Sequence, residues 1–144
     1  MQDTKPNPSG QSGLHPIPAV AVVCWRGDEV LLIRRGRAPR LGEWSIPGGK
    51  VQRGEALHDA ASRELFEETG ISAEIGDLLA VYEIIEANFH YVLIDYSAVW
   101  LAGEPVAGDD ADEARFLSFD EAMSLINNPD MHDVLLKSRR LIQD

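Results

Sequence analysis

Along much of the chain, apolar and polar positions follow the patterns of extended strands. Residues 18–25 and 29–35 are apolar runs rich in β-branched side chains, and Arg26-Gly27-Asp28 between them is typical of a hairpin turn. Residues 89–101 alternate in polarity, which predicts a strand with unequal faces. Together the patterns predict six strands, over 18–25, 29–35, 44–46, 78–85, 89–101 and 114–118.

The segment 56–69 contains neither Gly nor Pro and has the pattern of an amphipathic helix. The apolar residues recur at spacings near three and four, which places them on one helical face. That face consists of Leu57, Ala60, Ala61 and Leu65. Gly70 is predicted to end the helix, because glycine readily adopts the left-handed conformation of a C-terminal cap.

Two further helices are predicted after the last strand. Ser118 and Glu121 have the spacing of a capping box and open a short helix over 119–126. Pro129 suits the first position of a helix that reaches about residue 142.

The remaining segments are predicted as loops or tail. Residues 36–55 contain five Gly and two Pro and are mostly loop, and residues 103–114 form an acidic loop. Residues 1–16 are rich in Pro, Gly, Ser and Gln, which indicates a flexible tail. We therefore expect one α+β domain over residues 17–144, since a domain of this length buries an adequate core.

The charge and cysteine content of the chain limit the binding partners and the cellular location that we expect. The 144 residues include 24 acidic and 13 basic side chains, a formal net charge of −11. Such a chain is not expected to bind nucleic acid or an anionic membrane, and a phosphorylated ligand would need accompanying cations. The single cysteine, Cys24, is expected to be a buried thiol. With no hydrophobic signal core in the first 16 residues, the expected location is the cytoplasm.

The candidate chemistry lies in the helix over 56–69. Glu64, Glu67 and Glu68 occupy positions i, i+3 and i+4, so their carboxylates emerge together. We expect the apolar face to lie opposite and to aim them at one place, near the tight loop Pro47-Gly48-Gly49. Clustered oxygen ligands favour Mg²⁺ or Mn²⁺. The alternative is an ordinary solvated acidic face.

Arg63 is four residues before Glu67 and next to Glu64. It is a candidate for orienting a ligand carboxylate. The alternative is an ordinary helix ion pair, which contributes a few tenths of a kcal/mol.

Residues 49–71 resemble the Nudix box. Its defining positions are filled by Gly49, Glu55 and Arg63-Glu64-Leu65-Phe66-Glu67-Glu68-Thr69-Gly70-Ile71. The resemblance implies a Nudix fold, an α/β/α sandwich around a mixed sheet with a loop–helix–loop catalytic motif. It implies hydrolysis of a nucleoside diphosphate linked to another moiety, with Mg²⁺ or Mn²⁺. It also implies that Glu64, Glu67 and Glu68 bind metal, that the Gly49 carbonyl joins them, and that Glu55 supports the loop.

The general base varies within that family, so two candidates remain open. One is the box residue Glu64. The other is a glutamate from a distant loop, for which Glu113 in the acidic stretch is the first choice. Glu113 is equally a candidate for a further metal ligand, and a solvated acidic turn is the plain alternative.

Several basic and aromatic residues are candidates for substrate binding. Four arginines at 34, 35, 37 and 40 are candidates for a phosphate clamp or for a flexible basic loop. Either Arg34 or Arg35 is expected to face the site, because neighbours on a strand point in opposite directions. Trp44 and Tyr91 are candidates for stacking on a base, with core packing as the alternative.

The resemblance favours a small nucleotide as substrate and ADP-ribose in particular, cleaved to AMP and ribose 5-phosphate. The alternatives are a pyrophosphohydrolase of ordinary or modified nucleoside triphosphates and a sensor that binds a nucleotide sugar without cleaving it. Homodimers are frequent in the family.

Overall fold

The computed structural model describes residues 15–38 and 40–143. Most of the tail predicted over 1–16 therefore lies outside the described residues. Within the described residues no helix is long and apolar enough to cross a membrane. In chain order the elements are β1 Ile17–Arg26, β2 Glu29–Arg35, β3 Trp44–Ser45, β4 Gly48–Lys50, α1 Leu57–Thr69, β5 Ser72–Glu86, β6 Phe89–Ala102, β7 Ala111–Ser118, α2 Phe119–Leu125 and α3 Pro129–Gln143.

The strands form one mixed sheet with the order β3-β2-β1-β6-β5, to which β4 is joined through β1 and β7 through β2. Strands β1 and β6 are parallel along most of β1, and the other pairs are antiparallel. The hairpin predicted at residues 26–28 is confirmed, since Trp25 pairs with Val30 and Arg26 with Glu29.

Beyond that hairpin the sheet divides. β1 takes β4 as its neighbour over Ala19–Ala21, whereas β2 takes β3 at Ile33 and Arg34. The two central strands therefore diverge, and an opening forms between them at the ends far from the turn.

Helices cover both faces of the sheet, which confirms the α/β/α sandwich. α1 packs Ala60, Ala61 and Leu65 onto the β1 side chains Val20 and Val22. On the other face, α2 and α3 pack onto a cluster that contains Trp25, Leu32, Leu79, Ala122 and Leu135. Each fully buried Leu or Val contributes roughly 1.5–3 kcal/mol of transfer free energy. Cys24 is buried as expected, and burial raises the pKa of its thiol to about 12.

Several predicted boundaries were wrong. Gly48–Lys50 was assigned to a loop but forms β4, because β1 offers an unpaired edge where it leaves β2. β5 begins at Ser72, before the predicted residue 78, and β7 begins at Ala111 inside the predicted acidic loop. Leu57 is 37% exposed and lies outside the packed face of α1.

Candidate active site

A cleft of about 1020 Å³ opens where β1 and β2 diverge. It is lined by α1, by β4, by the segment between β2 and β3, by the β5–β6 hairpin and by the segment from α2 to α3. Its acidic lining residues are Glu43, Glu64, Glu67, Glu68, Glu83, Asp109, Asp110 and Asp130, and its basic lining residues are Arg35, Arg37, Arg40 and Lys50. Because the acids outnumber the bases, an anionic ligand needs additional positive charge to bind here.

The three glutamates of α1 line the cleft together but differ in burial. Glu67 is exposed, Glu64 is half-buried, and Glu68 is only 5% exposed. The expectation that the apolar face lies opposite all three was wrong. With about 100° of rotation per residue, Glu64 and Glu68 fall close to Ala60 and border the packed face.

Glu68 is held by the main chain of β4. Its Oε1 accepts a hydrogen bond from the Gly48 N–H at 2.8 Å. Burial raises the pKa of Glu68 to about 7, although that hydrogen bond acts in the opposite direction. A nearly buried carboxylate of this kind favours a cation beside it.

Glu64 lies against the next residue of β4. A side chain on residue 49 would overlap the Glu64 carboxyl group, so the close approach requires glycine at that position. Burial raises the pKa of Glu64, Arg63 lowers it, and the charges of Glu67 and Asp109 raise it further.

Arg63 links the helix to the loop before it. Its Nε and Nη2 donate to both carboxylate oxygens of Glu55 at 2.7 and 2.9 Å, and Nη2 also donates to the Lys50 carbonyl at 3.0 Å. Its Nη1 donates to Glu64 at 2.9 Å and to Glu67 at 3.0 Å. The hydrogen bonds from Arg63 lower the pKa of Glu55 to about 2. Arg63 therefore positions two cleft carboxylates, which is more than a single i, i+4 ion pair.

The segment between β6 and β7 brings more carboxylates to the same place. The N–H groups of Val106 and Gly108 each donate at 2.9 Å to the carbonyls of Thr69 and Glu68, which are left without helical partners at the end of α1. A side chain at Gly108 would overlap the Glu67 carbonyl. This docking places Asp109 and Asp110 in the cleft beside the glutamates of α1.

The donor set fits a divalent cation of the Mg²⁺ type. It consists of carboxylate oxygens from two segments, with the main chain of Gly48 and Gly49 beside them. Among the described residues, no three carboxylate, imidazole or thiol groups already converge as a metal centre. Arg63 and the Gly48 N–H hold the glutamates separately, so binding of an ion requires those side chains to turn towards it.

The structure places Glu113 and Arg34 together on neighbouring strands. Their residues pair across β7 and β2, and Arg34 Nη2 lies 3.3 Å from the Glu113 carboxylate. Arg34 also donates to Asp112 at 2.9 Å. Neither Glu113 nor Arg34 is among the described residues that line the cleft, whereas Arg35 is.

Two other arginines of the same segment line the cleft. Arg37 Nε lies 2.9 Å from the Asp110 carboxylate, and Arg40 Nη2 lies 2.8 Å from Glu86 on the opposite side. Three of the basic side chains that line the cleft therefore come from residues 35–40, and Lys50 of β4 is a further one.

Four aromatic side chains line the cleft. They are Trp44, Tyr82, Phe89 and Tyr91, and the rings of Phe89 and Tyr91 lie 4.9 Å apart. Trp44 also packs against the core on the α2 and α3 face, in agreement with the core-packing alternative. Burial raises the pKa of Tyr82, and the charges of Asp95 and Asp130 add to the effect.

Sequence reasoning singled out the acidic stretch but selected Glu113 rather than Asp109 and Asp110. The Gly108-Asp109 turn separates the two groups of carboxylates. After this turn the chain enters β7 and pairs with β2, so Glu113 belongs to a strand. Asp109 has a backbone φ of 49°, a left-handed conformation that is uncommon for a residue with a side chain. Tyr82 also lines the cleft, but it carried no motif and was not identified as a site residue.

Comparisons with known proteins agree with this geometry. A family model described as the NUDIX domain matches residues 15–137. The chain is 36% identical to an ADP-ribose pyrophosphatase of Methanocaldococcus jannaschii over 114 residues, 78% of this chain and 68% of that protein. It is 32% identical to an 8-oxo-(d)GTP phosphatase of Mycolicibacterium smegmatis over 136 residues, 84% of this chain and 41% of that protein.

A solved structure is similar over most of its length. The MutT NUDIX hydrolase from Burkholderia pseudomallei matches with a TM-score of 0.73 and 31% identity, covering 85% of this chain and 98% of that one. With a matching family model, relatives that are pyrophosphate-cleaving enzymes, and the box glutamates gathered in one cleft, the chain belongs to the Nudix hydrolase family and is a pyrophosphohydrolase.

Proposed function

We propose that this protein hydrolyses the pyrophosphate bond of a nucleoside diphosphate derivative in the presence of Mg²⁺ or Mn²⁺, with ADP-ribose as substrate and AMP and ribose 5-phosphate as products. One observation carries the proposal. One cleft is lined both by carboxylates from α1 and from the β6–β7 segment and by the aromatic side chains Trp44, Tyr82, Phe89 and Tyr91. This combination suits a ligand that carries both a diphosphate and a base.

Glu64, Glu67 and Glu68 would hold the divalent ion, and the Gly49 carbonyl stands beside them. When bound there, the ion supplies charge neutralisation of the phosphoryl oxygens and a bound water of lowered pKa. Arg63 keeps Glu64 and Glu67 aligned through its Nη1, and Glu55 keeps Arg63 in place.

Asp109 is our candidate for the group that accepts the proton of the attacking water. It lines the cleft and its charge acts on Glu64, whereas the Glu113 carboxylate is paired with Arg34. Glu64 remains the second candidate, because its carboxyl group also faces this part of the cleft.

Arg35 and Arg37 are candidates for contacts to the phosphoryl oxygens, since their guanidinium groups suit such contacts and both line the cleft. Trp44 and Tyr91 are candidates for stacking on the base. We assign these roles because the four side chains line the same cleft as the box glutamates.

A nucleoside triphosphate is the second candidate substrate. The relative named as an 8-oxo-(d)GTP phosphatase supports it. Either ligand would need the divalent ion to offset its phosphate charge in this acidic cleft. The two reactions differ in product, so a product assay separates them.

The test is a substrate panel. Purified protein is incubated with Mg²⁺ and, separately, ADP-ribose, NADH, diadenosine polyphosphates and modified deoxynucleoside triphosphates, and products are identified by anion-exchange chromatography. AMP with ribose 5-phosphate supports the proposal, and pyrophosphate with a monophosphate supports the triphosphate reaction. Binding of ADP-ribose with no turnover of any compound would favour the sensor and overturn both.

A further inference from the structure

An ion pair outside the Nudix box joins two segments that contribute residues to the cleft. Arg40, which lies between β2 and β3, contacts Glu86 at the end of β5, with Nη2 2.8 Å from Oε2. The first segment lines the cleft with Arg37, Ala38 and Arg40, and the second lines it with Ile84, Ile85 and Phe89. The contact therefore connects the β2–β3 segment to the β5–β6 hairpin beside the cleft.

Arg37 and Arg40 differ in where their ion-pair partners lie. Arg37 is paired with Asp110, which itself lines the cleft, so this pair adds no net charge to the cleft. Glu86 is not among the described residues that line the cleft. If Arg40 turned inward, it would bring an uncompensated positive charge to a predominantly acidic cleft.

The Arg40–Glu86 contact is easily exchanged. The side chains are 44% and 47% exposed, and an exposed ion pair contributes only about 0.2–1 kcal/mol. A guanidinium group binds phosphoryl oxygens through the same parallel N–H donors that bind a carboxylate. A diphosphate in the cleft is thus a direct competitor of Glu86 for Arg40.

The backbone at Arg40 supports a role for its side chain. Its φ of 62° lies in the left-handed region, which disfavours a residue with a side chain by roughly 1–2 kcal/mol. Glycine would adopt this conformation without that cost. An arginine therefore occupies a position where the local turn alone would favour glycine.

We infer that Arg40 is a substrate-binding residue that exchanges its ion pair with Glu86 for a phosphoryl oxygen of the bound diphosphate. Glu86 holds the guanidinium at the edge of the cleft in the free protein and competes with the ligand for it. The inference rests on the proposed function for the identity of the ligand, a nucleoside diphosphate group.

The experiment is a double-mutant cycle on ligand binding. The proteins are the unaltered chain, Arg40→Gln, Glu86→Gln and the double variant, and the probe is ADP with Mg²⁺ measured by titration calorimetry. We expect Arg40→Gln to weaken ADP binding about 10-fold and Glu86→Gln to tighten it about 3-fold. In the Arg40→Gln background, Glu86→Gln is expected to have no further effect on ADP binding. Without the Arg40 guanidinium, Glu86 and ADP have no common group to compete for.

Two further variants make the cycle decisive. Arg40→Gly suits the backbone conformation and is expected to weaken binding as much as Arg40→Gln without lowering the thermal midpoint. Glu104→Gln removes the carboxylate of another exposed pair, with Arg26 at 3.2 Å, that does not line the cleft, and it is expected to leave ADP binding unchanged.

The inference is overturned if Glu86→Gln weakens binding like Arg40→Gln, since the pair would then shape the cleft rather than compete with the ligand. It is also overturned if Arg40→Gln binds ADP normally, or if the effect of Glu86→Gln persists without Arg40. ADP-ribose turnover is measured in parallel. Arg40→Gln is expected to raise KM, whereas kcat is expected to stay within about 3-fold of that of the unaltered protein. Normal ADP binding by Arg40→Gln with intact turnover defeats only this inference, whereas Arg40-dependent ADP binding without any turnover defeats only the proposed reaction.

Discussion

The carboxyl group of Glu64 lies against the α-carbon of Gly49, at the place where any larger residue would carry its side chain. The contact joins α1 to β4, and β4 exists because β1 leaves β2 and accepts a new neighbour. The position of a metal-binding candidate is thus set by the division of the sheet.

Gly49→Ala is expected to displace the Glu64 carboxyl group and reduce kcat about 10- to 100-fold, since small misplacements at a reacting centre have effects of this size. Gly54→Ala, in the loop that follows β4, is the control. Gly54 has a φ of 82° but open space around it, so its substitution is expected to lower stability without a comparable loss of kcat. Equal kcat values for the two variants would contradict the importance of the Glu64 contact.

Arg63→Lys keeps the charge but loses the planar group that contacts three glutamates. We expect kcat to fall about 10- to 100-fold and the apparent affinity for Mg²⁺ to fall with it, as is typical when a group supporting metal ligands is lost. Steady-state kinetics over a range of Mg²⁺ concentrations measures both. Activity equal to that of the unaltered protein would mean that Arg63 is an ordinary helix ion pair.

Asp109→Asn is expected to reduce kcat about 100-fold, the usual scale for loss of a general base. Asparagine tolerates the left-handed backbone at residue 109, so the turn should persist. Glu113→Gln provides the comparison, because that carboxylate is paired with Arg34 outside the cleft. A larger loss of kcat in Glu113→Gln than in Asp109→Asn would restore Glu113 as the candidate base.

Glu67→Gln and Glu68→Gln are each expected to reduce kcat at least about 100-fold while the protein remains folded, as for lost metal ligands. Chelation with EDTA should abolish turnover of the unaltered protein, and added Mg²⁺ should restore it. Circular dichroism checks the fold of each variant. Near-normal turnover in both variants, or activity that survives EDTA, would argue against the metal site.

The buried carboxyl group of Asp95 is expected to make the free energy of unfolding depend on pH. Its residue is completely buried, both carboxylate oxygens lack hydrogen-bond partners among the described residues, and burial raises its pKa from 3.8 to about 7. Well below pH 3.8 the carboxyl group is protonated in both the folded and the unfolded chain. As the pH rises from about 4 to 7, only the unfolded chain ionises, so the free energy of unfolding falls, by at most roughly 1.4 kcal/mol per pH unit.

The test of this dependence is Asp95→Asn, which cannot ionise. The variant is expected to match the unaltered protein near pH 4 and to be more stable by a few kcal/mol at pH 8, as measured by urea denaturation. A variant that is less stable at pH 8 would show that the Asp95 carboxylate is stabilised by groups around it.

Local sequence patterns predicted most helices and strands, because alternation of polarity, turn residues and helix caps each act over a few neighbouring residues. The alternation in 89–101 and the turn at Gly27 determine strands and a hairpin, and Ser118 caps α2 by accepting a hydrogen bond from the Glu121 N–H at 3.2 Å. Gly70 ends α1 with a φ of 73°, as predicted. Strand β4 was missed because its pairing depends on an edge that only the assembled sheet provides.

The family could be assigned from the amino-acid sequence alone, because the spacing of Glu64, Glu67 and Glu68 on a helix and the composition of residues 49–71 are local properties of the chain. The distant groups that lie beside these glutamates depend on how the strands and helices pack together. Gly108 docks on the end of α1 and brings Asp109 into the cleft, while the pairing of β2 with β7 ties Glu113 to Arg34. These partners are set by strand register and by free carbonyls at a helix end, which bring together residues that lie tens of positions apart in the chain.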